Sequence, residues 1–236
     1  FPFVKEAAKS CGSDLNNFGP FLFGHPMKIR DCMMEAHVKS VPVIKEHLNS
    51  NQKVGVTLSI MDYQYAEGGK SKRDEARTES IDICLEQIKN DDFLGVQTYT
   101  RHTFGSQGII NPDITKDDML IMGYEYYPEA LENVLRYVNK KINCPILVTE
   151  NGIGTNDDKQ RISYMKTALQ GLQNCLNDGL DISGYYYWSF LDNFEWLFGY
   201  EPRFGLVSVD RNSLARNEKE SLKFYKTIIE NSNKKN

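Results

Sequence analysis

The pattern of apolar and polar residues is most distinctive at residues 145–152, where a short apolar run ends on a carboxylate. The run reads Pro-Ile-Leu-Val-Thr-Glu-Asn-Gly and is bounded by Pro145 and Gly152. A continuous aliphatic run of this length predicts a strand that is buried on both faces. Parallel α/β proteins present catalytic side chains at the carboxyl ends of such strands, so Glu150 is a candidate catalytic residue. Taken alone, Glu150 also fits a solvated loop residue or a partner of a helix N-cap.

Similar patterns predict three further strands and six helices. Runs rich in β-branched and aromatic residues, typical of strands, occur at residues 53–60, 93–99 and 182–189. Apolar residues three or four positions apart predict helices at residues 1–11, 27–48, 74–89, 128–141, 157–178 and 218–230. Pro42 predicts a kink or an early stop in the second of these helices, and Gly179 predicts the end of the fifth.

The order of these elements predicts the fold class. Helices and strands alternate along the chain, a pattern that requires a parallel sheet with right-handed crossovers. Four βα units make half of an eight-stranded barrel. We therefore expect an α/β fold, a (β/α)8 TIM barrel of which residues 1–236 supply about the last four βα units as a single domain. Because the chain begins at Phe1 without a targeting pattern, we expect a preceding N-terminal half in the complete protein.

Composition narrows the classes of partner. The net charge of -4 and the pI of about 5.7 give no basic surface for nucleic acid. No apolar run reaches the roughly 18 residues needed to span a membrane. Five irregularly spaced cysteines without a Cys-x-x-Cys pair indicate buried thiols in a reducing compartment, so we expect a cytoplasmic protein. The four histidines show no metal-ligand spacing, and we expect neither a metal nor a cofactor.

The segment after the fourth strand carries the second chemical signal. Residues 188–196 read Trp-Ser-Phe-Leu-Asp-Asn-Phe-Glu-Trp and contain both tryptophans of the chain. A sugar ring stacks its C–H face on an indole, while carboxylates and amides accept its hydroxyl hydrogens. Tryptophans in the core beside a capped loop are the plainer interpretation. Two tryptophans and three hydrogen-bonding side chains within nine residues favour a sugar site.

Together these motifs resemble the C-terminal half of a family 1 glycoside hydrolase of the β-glucosidase type. The resemblance rests on Val-Thr-Glu-Asn-Gly at residues 148–152, on residues 188–196 and on Arg-Phe-Gly-Leu at residues 203–206. Residues 93–99 and 124–130 also resemble family segments that precede the nucleophile. The motifs follow the order of the family from about residue 27 to residue 229.

The resemblance implies a retaining hydrolysis of β-glycosides by two glutamates, with a role for each matching residue. Glu150 would be the nucleophile, and Tyr99 would match the tyrosine that hydrogen-bonds it. Trp188 would be the platform for the first sugar. The other implied contacts are Glu195 and Trp196 with the sugar hydroxyls, and Phe204 as an aromatic wall.

The chain also departs from the family pattern. It contains no Asn-Glu-Pro, the motif that carries the acid/base glutamate of the family, nor the glutamine and histidine-tryptophan pair that bind the sugar. We expect these groups in the missing N-terminal half, with activity depending on it. The strand before the nucleophile ends in Gln97-Thr98-Tyr99, where the family usually has Asn-Tyr-Tyr. Gln97 is therefore a candidate residue of the substrate site, and the sequence does not specify which groups it contacts.

Two further expectations concern the substrate and the partners. A carboxylate at Glu195 would repel a phosphate, so the sequence predicts an unphosphorylated β-glucoside or a related galactoside or fucoside. The alternative to an enzyme is an inactive half barrel or pseudoenzyme that binds sugar or a partner chain. In either case a half barrel exposes the edges of its first and last strands, so we expect association with a complementary half or self-association.

Overall fold

The computed structural model describes residues 2–14, 18, 26–113, 115 and 118–233. Phe1 and His25 lie outside the described residues. The strands in chain order are β1 (Val56–Ser59), β2 (Asp62–Tyr65), β3 (Leu94–Gln97), β4 (Arg101–Gly105), β5 (Gly108–Ile110), β6 (Ile146–Asn151), β7 (Ile182–Tyr187), β8 (Val207–Val209) and β9 (Arg216–Glu218). The helices are α1 (Pro2–Ser10), α2 (Pro26–Lys45), α3 (Lys70–Arg77), α4 (Ile83–Leu85), α5 (Ala130–Asn139), α6 (Asp158–Asn177) and α7 (Glu220–Asn233).

Four of these strands form the central sheet, and they are the four that the sequence predicts. Their order is β1-β3-β6-β7, and every neighbouring pair is parallel. Each crossover between neighbours carries helix, which is the βα pattern that a parallel sheet requires. The predicted parallel α/β sheet is therefore confirmed.

The core lies between this sheet and the helices α5 and α6. One face of the central strands is fully buried, as is the inward face of α5, because both stripes are aliphatic. The residues with 0% exposure in this layer include Leu94, Val96, Ile146, Val148, Leu131, Leu135 and Val138. Burying a side chain of this kind stabilises the fold by about 1.5–3 kcal/mol. This layer makes the sheet a rigid support for the residues at its carboxyl edge.

Helix α6 ends where Gly179 predicts, and its first turn is capped by a side chain. Asp157 is the N-cap, and its side chain accepts a hydrogen bond from the amide of Lys159 at 2.9 Å. After the C-cap Asp178, Gly179 has φ +82°, a left-handed conformation that glycine adopts without a steric penalty. This turn sends the chain into β7.

We expect Gly179→Ala to lower the free energy of unfolding by roughly 1–2 kcal/mol, since alanine is strained in the left-handed region. Nothing lies within 4 Å of the position a Cβ would take at Gly179, so the loss would come from the backbone alone. Denaturant unfolding measures this change in the free energy of unfolding. Gly179→Asn is the control, because asparagine tolerates this conformation and should lose less. Equal stability of Gly179→Ala and the parent would contradict the assignment.

Three features differ from the sequence prediction. The segment after residue 99, where no strand is predicted, contains the antiparallel hairpin β4–β5, which joins β2 in a second sheet of order β2-β4-β5. The helix predicted at residues 74–89 starts earlier, at Lys70, and consists of α3, a π-helical segment (Thr78–Asp82) and α4. Helix α2 continues through Pro42 and ends at Lys45, so the helix does not stop at Pro42.

The central sheet is open at both sides within the part of the chain that the structure describes. Strand β1 pairs with β3 alone, and β7 pairs with β6 alone. An eight-stranded barrel would need further strands beside both. Among the described residues, no helix is both long enough and apolar enough to cross a membrane.

Candidate active site

The carboxyl end of β6 contains an irregularity that determines which way Glu150 points. Val148 pairs with Val96 of β3, but the next pair joins Glu150 to Gln97, so β6 has one extra residue. Pairing with β7 shows the same irregularity between Val148 and Asn151. A bulge of this kind shifts the alternation of side chains by one position.

Because of the bulge, the side chains of Glu150 and Asn151 lie on the faces of the sheet opposite to those that regular alternation would give them. Ile146 and Val148 face the helices, so regular alternation would place Glu150 there as well. Instead Thr149 and Glu150 both lie on the opposite face, and the Thr149 hydroxyl is 2.9 Å from that of Thr57. Asn151 is the residue that faces the helices, with 0% exposure. The carboxylate of Glu150 is thereby free of the apolar core.

Two side chains from the end of β3 hold the Glu150 carboxylate. Nε2 of Gln97 donates a hydrogen bond to Oε1 of Glu150 at 2.7 Å. The hydroxyl of Tyr99 donates to Oε2. Each oxygen thus accepts a hydrogen bond from one donor, an arrangement that fixes the plane of the carboxylate. The structure brings together three of the residues that the sequence singles out.

The surroundings of Tyr99 keep its hydroxyl protonated. Burial raises its pKa, and the hydrogen bond to Glu150 and the nearby charges of Glu150 and Glu195 raise it further. Burial and the charge of Glu195 likewise raise the pKa of Tyr124.

Alkaline pH should destabilise the protein because of its buried tyrosines. Burial raises the pKa of Tyr99, Tyr164 and Tyr185 well above the ordinary value of about 10. Above about pH 10 the unfolded chain releases protons that the folded chain retains, so the free energy of unfolding falls as the pH rises. Absorbance at the tyrosinate band should show fewer than the thirteen tyrosines ionising before the fold is lost. Ionisation of all thirteen in the folded protein would contradict this.

Phe204 forms one wall of the site. Its side chain is 2% exposed, and its ring meets that of Tyr99 edge-on, with centroids 6.1 Å apart and planes at 83°. A Cβ at Gly154 would lie 2.8 Å from the Phe204 ring, so glycine is required there for the close approach. Between them, Gly154 and Tyr99 fix the position of the phenyl ring.

Trp188 and Glu195 follow β7, while Trp196 begins a short 3-10 helix. The amide of Trp188 donates to the carbonyl oxygen of Asn151 at 2.9 Å, and its ring is half-buried. Glu195 is 8% exposed, and its Oε1 has no hydrogen-bond partner among the described residues. Trp196 is 69% exposed. The structure thus brings Gln97 and Tyr99 to Glu150 and packs Phe204 against Tyr99. Trp188, Glu195 and Trp196 follow β7, and the indole of Trp196 is largely uncovered.

Sequence reasoning missed Tyr124, Asn151 and Tyr164 as residues of this region. Tyr124 is half-buried, and burial and the charge of Glu195 raise its pKa. Asn151 and Tyr164 are fully buried and hydrogen-bonded to each other behind the nucleophile candidate. A tyrosine on the inward face of a helix needs a hydrogen-bond partner for its hydroxyl. That requirement could have marked Tyr164 in the sequence as a residue that bonds to a neighbouring segment.

The arrangement suits nucleophilic attack by a carboxylate without a metal ligand set. Among the described residues, no group of three or more His, Cys, Asp or Glu side chains is placed to hold a metal ion. The carboxylate of Glu150 accepts two hydrogen bonds, and one of its donors, Tyr99, packs against the ring of Phe204. Such a site can attack a carbon centre that carries positive charge and can bind hydroxyl groups.

Comparison with known proteins agrees with this chemistry. The family model described as Glycosyl hydrolase family 1 matches residues 113–234. Beta-glucosidase A of Acetivibrio thermocellus is 38% identical over 164 residues, which are 65% of this chain and 36% of that protein. Beta-glucosidase 42 of Arabidopsis thaliana is 43% identical over 125 residues, 46% of this chain and 26% of that protein.

A solved structure extends the likeness over almost the whole fold. The crystal structure of beta-glycosidase BGL167 superposes with a TM-score of 0.83 at 39% identity, and covers 93% of this chain and 52% of that chain. The predicted TIM-barrel fold is thereby confirmed, with this chain forming part of the barrel. The chain spans about a quarter to about half the length of the proteins it matches.

Proposed function

The chain belongs to glycosyl hydrolase family 1, and from this premise we propose that the complete protein is a retaining β-glycosidase with Glu150 as nucleophile. The observation that carries the proposal is the carboxylate of Glu150, which a bulge turns away from the core and which Gln97 and Tyr99 hold by one donor each. These donors hold the carboxylate in a fixed orientation, as attack on a sugar requires.

The proposed reaction has two steps. An oxygen of Glu150 forms a bond to the anomeric carbon while the bond from that carbon to the leaving oxygen breaks, and a second carboxyl group gives its proton to the leaving oxygen. Water then attacks the glycosyl ester, gives a proton back to that carboxylate and releases Glu150. The two carboxyl groups need a separation of roughly 5–5.5 Å.

We propose that this second carboxyl comes from a segment outside the 236 residues. The support is that the sequence contains no Asn-Glu-Pro and spans about a third of its bacterial relative. The 236 residues would then be the C-terminal half of one barrel domain, and turnover would require the other half. The cleft would close only when further strands pair with β1 and β7.

The proposed substrate is an unphosphorylated β-glucoside or a related β-glycoside. Trp188 would stack on the sugar ring, Trp196 would contact a hydroxyl, and Phe204 would line the pocket. Glu195 offers a buried oxygen that has no hydrogen-bond partner in the described part of the chain, which suits a sugar hydroxyl and disfavours a phosphate. The reaction needs no cofactor. All five cysteines are free thiols, which supports a cytoplasmic location.

The stereochemistry of the product tests this proposal. Proton NMR of the first product formed from p-nitrophenyl β-glucoside should show the β-anomer, because two inversions give net retention. An α-anomer would exclude the nucleophile role of Glu150. Equal or better turnover of a 6-phosphoglucoside would contradict the role of Glu195.

The second candidate is an inactive half barrel that binds sugar or a partner chain, and the open strands β1 and β7 favour it. The intact mass of the purified protein separates the two when it is measured beside turnover. A mass well above 27.1 kDa with glucosidase activity supports the complete enzyme. A mass of 27.1 kDa without turnover supports the half barrel, for which association through the open edges is expected.

A further inference from the structure

Behind the nucleophile, on the helix-facing side of the sheet, three polar side chains form a hydrogen-bond network with two backbone carbonyls. Nδ2 of Asn151 donates to the carbonyl oxygen of Thr98 at 2.8 Å and to the hydroxyl of Tyr164 at 3.1 Å. Its Oδ1 accepts from the hydroxyl of Tyr185 at 3.0 Å. The hydroxyl of Tyr164 donates in turn to the carbonyl oxygen of Tyr99 at 2.9 Å.

The direction of each bond in this network follows from the chemistry of its members. A carbonyl oxygen only accepts, so Tyr164 must give its single hydroxyl hydrogen to Tyr99. That hydroxyl can then only accept from Asn151, whose second N–H goes to Thr98. Both Asn151 and Tyr164 have 0% exposure, and a buried network with every member satisfied is rigid.

The network reaches two backbone carbonyls that the sheet does not pair, although the amide of Thr98 still donates to the carbonyl oxygen of Glu150 at 3.1 Å. Strand β3 ends at Gln97, so the carbonyls of Thr98 and Tyr99 lie beyond its ladder. Asn151 and Tyr164 supply their partners from the helix side. On the other side of the sheet, the hydroxyl of Tyr99 bonds to Glu150. Tyr99 is thus fixed at its main chain by Tyr164 and contacts the nucleophile with its side chain.

We propose that Tyr164 is a positioning residue of the glycosidase site, acting through the main chain of Tyr99 on the hydrogen bond between Tyr99 and Glu150. This inference rests on the proposed function, since it takes Glu150 to be the attacking group. Tyr164 itself touches neither substrate nor the reacting atoms. Its effect therefore falls on the rate of the chemical step rather than on substrate binding.

The test is Tyr164→Phe, which removes one oxygen atom and keeps the ring in its packing. We expect kcat for p-nitrophenyl β-glucoside to fall roughly 10- to 100-fold, as for a small misplacement of a catalytic group. KM should stay within about two-fold, because ground-state binding is unchanged. In a Tyr99→Phe background, Tyr164→Phe should lower kcat by less than about two-fold, since the hydrogen bond from Tyr99 to Glu150 is already absent.

Tyr225→Phe is the matched control. The hydroxyl of Tyr225 also donates to a backbone carbonyl, that of Tyr185 at 3.2 Å, but from α7 onto β7. Its loss removes the same kind of bond without touching the Tyr99 main chain. We expect kcat of this variant to remain close to that of the parent protein.

Hydrogen exchange provides a readout that does not depend on turnover. Peptides covering residues 94–100 should exchange faster in Tyr164→Phe than in Tyr225→Phe. The inference is overturned if exchange there is unchanged, if kcat falls no more than in the control, or if the Tyr99 and Tyr164 effects are additive. Retention of full turnover by Glu150→Gln would instead overturn the proposed function, and hydrogen exchange would still decide whether Tyr164 holds Tyr99.

Discussion

Replacing Glu150 by glutamine should lower kcat/KM for an aryl β-glucoside by more than about 10³-fold, equivalent to about 4 kcal/mol of transition-state stabilisation. The amide has almost the same shape as the carboxylate, so it fills the same space beside Gln97 and Tyr99. It lacks the charge and the nucleophilic oxygen that bond formation to the anomeric carbon requires. Steady-state kinetics of the full-length protein measures the effect.

Two controls separate loss of the nucleophile from loss of structure. Glu132→Gln is a matched substitution on α5, where the Glu132 carboxylate lies 2.7 Å from Arg136, and it should leave turnover unchanged. Glu150→Gly leaves a space for a small anion, so added azide should restore turnover and yield the α-glycosyl azide. Full activity of Glu150→Gln, or no rescue by azide in a folded Glu150→Gly variant, would exclude the nucleophile role.

The second large effect is expected at Arg161, a charged side chain that is only 1% exposed. Its guanidinium donates to Asp158 at 2.6 Å, to the carbonyl oxygen of Thr155 at 2.6 Å and to that of Arg203 at 2.5 Å. Asp158 also accepts from the amide and hydroxyl of Ser221 at the start of α7. Arg161 therefore ties the loop after β6 to the segment that carries the aromatic wall and to the last helix.

Arg161→Met should lower the free energy of unfolding by about 3–5 kcal/mol, since it leaves a carboxylate and two carbonyls with fewer partners in the interior. For a protein of this size the corresponding fall in Tm is roughly 6–20 °C. Thermal and urea unfolding measure the change. Arg136→Met, which removes an arginine from the outer face of α5, should have a much smaller effect. Similar losses for the two variants would contradict the role assigned to Arg161.

The central sheet was predictable because its signals are local. The four parallel strands are short runs of β-branched and aromatic residues, and an element of that kind can be recognised without its neighbours. The hairpin β4–β5 also has a local signal, the two residues between Gly105 and Gly108, but the polar composition of the segment suggested a loop. Its strands pack against β2 rather than within the barrel sheet.

The orientation of Glu150 could not be predicted from the sequence. Strict alternation along β6 from Val148 places Glu150 among the helices, and the bulge that reverses this arises from pairing with β3 and β7 together. The partners of Tyr164 likewise come from segments distant in sequence. Family resemblance supplied the candidate residues of the site, whereas the hydrogen bond of Gln97 to Glu150 emerged only from the structure.

The most direct test of the central claim is identification of the residue that becomes glycosylated. A 2-deoxy-2-fluoro-β-glucoside with a dinitrophenyl leaving group should form a stable ester with the nucleophile, because the fluorine slows its hydrolysis. After incubation of the full-length protein and proteolysis, mass spectrometry should find one sugar adduct, on Glu150. An adduct on a different carboxylate, or turnover of the parent glucoside without any adduct, would contradict the account.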